Sequence, residues 1–66
     1  MNTATIGKKL RDLRGDRTQK EVCDAIGIRQ TALSNYETGI RVPRDETKVK
    51  LAAYYGVSTT DIFFNF

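Results

Sequence analysis

Gln30, Thr31, Ser34 and Asn35 carry amide and hydroxyl groups at spacings that place them on one side of a helix, and none is charged. Turning ~100° per residue from Gln30, the other three fall within about 140° of it, while Leu33, Ala32 and Tyr36 take the opposite arc. Solvated helix faces are usually dense in Lys and Glu, with long charges paired four apart. Here the outward arc holds only short or amide-bearing side chains, which both donate and accept hydrogen bonds. An ordinary polar surface is the bland alternative for these four positions.

Catalytic chemistry is poorly supplied. The chain has no histidine, so the usual general base near neutral pH is missing. Its single cysteine, Cys23, has no His partner, and neither a metal-ligand spacing nor a glycine-rich phosphate loop occurs. No catalytic residue, metal, cofactor or small-molecule ligand is expected. Cys23 reads as a small buried side chain rather than a redox sensor.

Charge points to a different partner. The 66 residues carry a net charge of +3, but it is unevenly placed. Residues 1–44 hold nine Lys and Arg against five acids, whereas residues 45–66 hold two against three. A basic N-terminal two-thirds suits a polyanion, although ordinary solubilising charge also accounts for a mildly basic protein. The length allows one hydrophobic core and hence one domain over residues 1–66. No apolar run approaches the ~20 residues of a membrane span, and no signal peptide opens the chain. A lone cysteine fits a reducing compartment, so the expected location is the cytoplasm without membrane contact.

Five short helices must position the uncharged face, with no strand pattern or repeat. The first is expected from about Thr5 to Arg14, with Ile6, Leu10 and Leu13 on one face and Gly15 as its stop. The second starts at a capping box formed by Thr18 and Glu21, presents Val22, Cys23 and Ile26 inward, and ends at Gly27. The third spans about Gln30 to Thr38 and is closed by Gly39. The segment "IRVPR" is a loop, because Pro43 disfavours helix at Val42. A fourth helix covers about Asp45 to Tyr55, with Leu51, Ala52 and Tyr55 inward. A second capping box, Ser58 with Asp61, begins a fifth of about Thr59 to Phe64, and Val57 can meet Ile62 as a hydrophobic staple. The second and third helices, joined by a short Gly-containing turn, form a helix-turn-helix unit over about residues 18–38.

The stretch "TQKEVCDAIGIRQTALSNYETG" resembles the DNA-binding unit of the Cro and phage-repressor type, the XRE family of helix-turn-helix regulators. The run "[apolar]-S-x-Y-E-x-G", "VPRDE" before the fourth helix and "YYGVS" before the fifth match as well, so the resemblance covers roughly residues 6–64. It implies an all-α, compact five-helix bundle, the same class as the helix pattern. It also implies a sequence-specific regulator, a repressor that reads an operator in double-stranded DNA through the major groove. The rival reading is a protein-interaction module on the same fold, an antitoxin or adaptor.

Under this resemblance Gln30, Thr31, Ser34 and Asn35 read base edges, since Gln or Asn can bond adenine N6 and N7 together. Gln19 is implied as a phosphate contact that also buttresses Gln30. The loop from Gly39 to Pro43 is implied to touch phosphates through its amides, assisted by Arg41 and Arg44, with Lys20 and Arg29 as further phosphate candidates. The family often pairs the residues matching Arg14 and Glu37. Its members commonly dimerise near the fifth helix, and "DIFFNF" offers Phe63, Phe64 and Phe66. Either Phe63 or Phe64 is expected to complete the core, leaving the other with Phe66 as an exposed patch for a homodimer on an inverted repeat. Three departures stand out: a short "GDR" connection, Lys48 where many members are apolar, and Arg29 at the N-cap of the third helix, where it cannot accept backbone N–H groups.

Overall fold

The computed structural model describes residues 2–64, and its secondary structure there is entirely helical. The helices are α1 (Thr3–Arg14), α2 (Gln19–Ile26), α3 (Gln30–Glu37), α4 (Asp45–Tyr55) and α5 (Thr59–Phe63). The bundle measures 27 × 22 × 22 Å. Ile6 and Leu10 of α1, Val22 and Cys23 of α2, Leu33 and Tyr36 of α3, Leu51 and Ala52 of α4, and Ile62 and Phe63 of α5 make one core. Leu13, Ile26, Ala32 and Tyr55, all expected inward, are only partly buried and pack at its edge.

Helix α1 begins two residues earlier than its apolar spacing indicates. The Asn2 side chain accepts hydrogen bonds from the Ala4 and Thr5 amides at 2.9 and 3.3 Å, capping a first turn with no large apolar residue to mark it. At α2, Thr18 Oγ1 accepts from Glu21 N at 3.0 Å, but the reciprocal Glu21 bond is absent among the described residues, so half of the expected box forms. At α5 both halves form between Ser58 and Asp61. Gly27 ends α2 with φ 77°, a left-handed conformation that glycine adopts without Cβ strain. Its amide and that of Ile28 both donate to the Cys23 carbonyl, which turns the chain sharply toward α3.

α1 packs chiefly on α3, and Gly7 permits it. A Cβ at Gly7 would lie 2.8 Å from the Tyr36 carbonyl oxygen and closer still to that of Glu37. A close crossing of the bundle therefore lies here, between α1 and the end of α3. Lys48, where many members are apolar, is accommodated against the core. Its side chain is only 12% exposed, with the ammonium 5.4 Å from the Phe63 ring centre and 5.1 Å from that of Phe64. Its methylene stem covers apolar surface while the charge finds aromatic faces and Asp45, 3.6 Å away.

Candidate nucleic-acid interface

Helix α3 is set by its two ends. Arg29 stands at its N-cap without a side-chain capping bond, and the helix closes through Ala32 and Leu33 amides donating to the Arg29 carbonyl. At the far end, the Ile40 and Arg41 amides both donate to the Asn35 carbonyl, at 2.9 and 3.2 Å, folding the following loop back against the helix. Leu33 and Tyr36 anchor the inner side in the core.

The outer side presents Gln30 and Thr31, exposed, and Ser34 and Asn35, half-buried. With Gln19 from the start of α2, these four line a shallow concavity of about 350 Å³ that contains no ionisable side chain. On the other flank of α3, Arg29 and Arg41 join Gly27, Ile28, Thr31, Ala32 and Asn35 around a second concavity of about 500 Å³. The helix thus stands as a ridge with a neutral, hydrogen-bonding wall on one side and two guanidinium groups on the other. Among the described residues no group of His, Cys, Asp or Glu is placed to hold a metal ion.

Behind the neutral wall lies a buried carboxylate. Glu37, its side chain 3% exposed, receives Arg14 Nε at 2.7 Å and Arg14 Nη2 at 3.0 Å in a two-pronged pair. Gln19 Nε2 donates to the same carboxylate at 3.1 Å, and Arg14 Nη1 reaches the Arg17 carbonyl at 2.8 Å. The hydrogen bond to Glu37 holds the Arg14 pKa above its usual value. Next to this pair, Arg17 lies over the rings of Tyr54 and Tyr55 at 5.3 and 5.7 Å. The Tyr55 hydroxyl is buried with no hydrogen-bond partner among the described residues, and burial pushes its pKa up to about 12.

The remaining site residues are scattered. Lys20 is exposed and paired with Asp24 at 2.7 Å, which raises its pKa. Arg44 is exposed at the N-cap of α4 and lines neither concavity. The loop amides expected to meet phosphates are mostly occupied: Gly39 donates to Tyr36, and Ile40 and Arg41 donate to Asn35. Between Gly39 and Pro43 that leaves the Val42 amide without a backbone partner among the described residues. Gln19 lines the neutral concavity beside Gln30, and its amide nitrogen donates inward to Glu37.

Of the two aromatics expected to divide between core and surface, Phe63 takes the core. Phe63 is fully buried in the core and is not available to a partner. Successive residues on a helix diverge by ~100°, so seating Phe63 turns Phe64 out, where it is 56% exposed. Phe66 lies outside the described residues. Val49, 59% exposed, shares a groove of about 230 Å³ with Asp45, Lys48, Thr59 and Phe64. Spacing does not mark Val49, because it lies off the helical arc shared by Leu51, Ala52 and Tyr55. Cys23 is buried, and burial raises its thiol pKa, so it is held as the neutral, unreactive form.

Comparison with known proteins agrees with this geometry. A helix-turn-helix family model matches residues 8–62. The chain is 41% identical, over 59 residues, to the cryptic phage CTXphi transcriptional repressor RstR of Vibrio cholerae, covering 86% of this chain and 53% of that protein. It is 40% identical, over 57 residues, to the HTH-type transcriptional regulator ImmR of Bacillus subtilis (strain 168), covering 83% of this chain and 45% of that one. The chain therefore spans about half the length of these curated relatives.

Proposed function

Because this chain belongs to the XRE-type helix-turn-helix family, we infer that it is a cytoplasmic, sequence-specific DNA-binding regulator, acting as a repressor on an operator in double-stranded DNA. The observation that carries the reading is the two-sided α3 ridge. A neutral wall of amides and hydroxyls can bond base edges in the major groove, while Arg29 and Arg41 on the opposite flank bind phosphate. A wall of Lys and Glu would bind or repel phosphates without reading sequence. No catalytic step, cofactor or metal is required for this role. Two copies paired through the α4–α5 face would set two α3 helices in successive major grooves, reading an inverted repeat with half-sites about 10 base pairs apart.

Selection from a random duplex pool, followed by titration of the selected site at several salt concentrations, tests the reading. Affinity should fall steeply with salt, by a slope of about 0.9 per phosphate neutralised. Gln30→Ala and Asn35→Ala should each cost about 1–3 kcal/mol on the selected site and relax one base pair. Arg41→Ala should weaken all sequences alike and flatten the salt slope. Site preference unchanged by the Gln30 and Asn35 substitutions would refute the readout assignment.

A further inference from the structure

The basic flank of α3 is not lined by hydrogen-bond donors alone. Along with the exposed Arg29 and Arg41, its concavity of about 500 Å³ is lined by Ile28 and Ala32, two half-buried aliphatic residues. Both also pack against the core, which fixes where they stand. Thr31 and Asn35 line this concavity and the neutral one alike, so they form the crest of the ridge. Ala32 follows Asn35 around the helix by about 60°, which sets it just past the crest on the side of the two guanidinium groups. Among the described residues no acid lines this concavity.

Two guanidinium groups suit phosphate, but an aliphatic surface does not, because a phosphate oxygen loses water there and gains no hydrogen bond. One group on a base edge does fit. In the major groove thymine presents its C5 methyl, and no other base carries an aliphatic group there. That methyl is the outermost group of a T·A edge, beside the phosphates of its own strand. A residue just off the crest and next to phosphate-binding arginines is placed to meet it. We propose that Ala32 and Ile28 are specificity-determining residues that take up the C5 methyl of one thymine in the bound site, with Arg29 and Arg41 holding the neighbouring phosphates. The proposal rests on α3 being the DNA-reading helix, and it adds recognition of an apolar group to the hydrogen-bonding readout of the neutral wall.

The experiment takes the site selected from a random duplex pool and replaces its thymines one at a time by deoxyuridine. That exchange removes the methyl and keeps every hydrogen-bonding atom of the base. For the wild-type chain at least one such replacement should weaken binding about fourfold, the contribution of one buried methyl, with the salt slope unchanged. With cytosine at that position, adding the methyl as 5-methylcytosine should recover about the same factor. Ala32→Ser keeps the side chain small and sets a hydroxyl in the concavity, and Ile28→Thr keeps the branched Cβ while making the same exchange. Each should shrink the ratio of thymine to deoxyuridine affinity at that position, Ala32→Ser bringing it close to one. A purely structural role at the core edge would lower the melting temperature and the affinity for both duplexes together and leave the ratio unchanged, which would overturn the proposal. So would a wild-type chain indifferent to every deoxyuridine, or a 5-methylcytosine that recovers nothing. Gln30→Ala separates the two levels: if it changes site preference while no deoxyuridine weakens binding, the DNA reading stands and this inference fails. If the wild-type chain binds no duplex, both fail.

Discussion

Gly7 of α1 lies directly against the Tyr36 carbonyl at the end of α3, with 2.8 Å between that oxygen and the place where a Cβ would stand. The atom in the way is backbone, which cannot rotate aside as a side chain end does. Helix α1 is consequently seated deep enough for Ile6 and Leu10 to be fully buried and for Arg14 to reach Glu37.

Gly7→Ala should therefore be destabilising even though alanine is the better helix former. The intrinsic gain is about 1 kcal/mol in a helix interior, while overpacking against fixed neighbours costs typically about 1–3 kcal/mol, occasionally more. Urea unfolding of the two proteins decides it: the midpoint for Gly7→Ala should fall. A raised midpoint would mean that α1 slides freely on α3.

The Arg14–Glu37 pair makes a second expectation. Losing one partner strands the other, and for buried pairs that costs about 3–5 kcal/mol. Glu37 is almost wholly buried, but Arg14 keeps some contact with solvent, which places Glu37→Leu toward the lower end. In a domain this small such a loss leaves much of the population unfolded. Replacing both residues by Met and Leu should restore most of the stability, and denaturant curves for the two single variants and the double give the coupling directly.

Much of this architecture is legible in the sequence, and the reasons differ by residue. Ile6, Leu10, Val22, Leu33 and Leu51 announce the core because helical spacing is a property of the chain alone. Ser58 and Asp61 announce a helix start because a capping box is local. Gly7 escaped notice because its role is a contact with α3 some thirty residues away, and nothing near it in sequence marks it. The Gln19 tie to Glu37 is hidden for the same reason. The occupied loop amides depend on how Ile40 and Arg41 turn back onto Asn35, which no residue type announces. Of the terminal aromatics, helical divergence shows that one must face out, but only packing decides that Phe63 is the one seated.

Tyr55 gives the chain an alkaline weakness. Its hydroxyl is buried without a hydrogen-bond partner among the described residues, and its pKa is pushed from 10.0 to about 12 by burial. Below pH 10.0 the phenol is neutral in both folded and unfolded chains, and this group adds no pH dependence. Between pH 10.0 and about 12 the unfolded chain ionises first, so stability falls as pH rises through that window. Tyr55→Phe removes both the titration and the unsatisfied hydroxyl. At neutral pH it should be at least as stable as the wild type, and its stability curve should lack this share of the alkaline decline. Parallel curves for the two proteins above pH 10.0 would show that Tyr55 does not titrate late.

Phe64 is the residue on which dimerisation should turn. It projects from the end of α5 beside exposed Val49 of α4, at the rim of a groove that includes Lys48 and Asp45. Residues 45–66 carry more acidic than basic side chains, so two such faces can meet without the repulsion that two basic α3 faces would suffer. An aromatic and a valine left in water on one face are the usual nucleus of an interface. Phe64→Ser should leave the helical content intact, because Phe64 contributes little to the core. It should also shift sedimentation of the free protein to the monomer and abolish cooperative binding to two half-sites about 10 base pairs apart. Phe63→Ser makes the contrast, since it opens the core and should unfold the domain outright. A wild-type chain that stays monomeric at high concentration and fills single half-sites without cooperativity would end the case for this face.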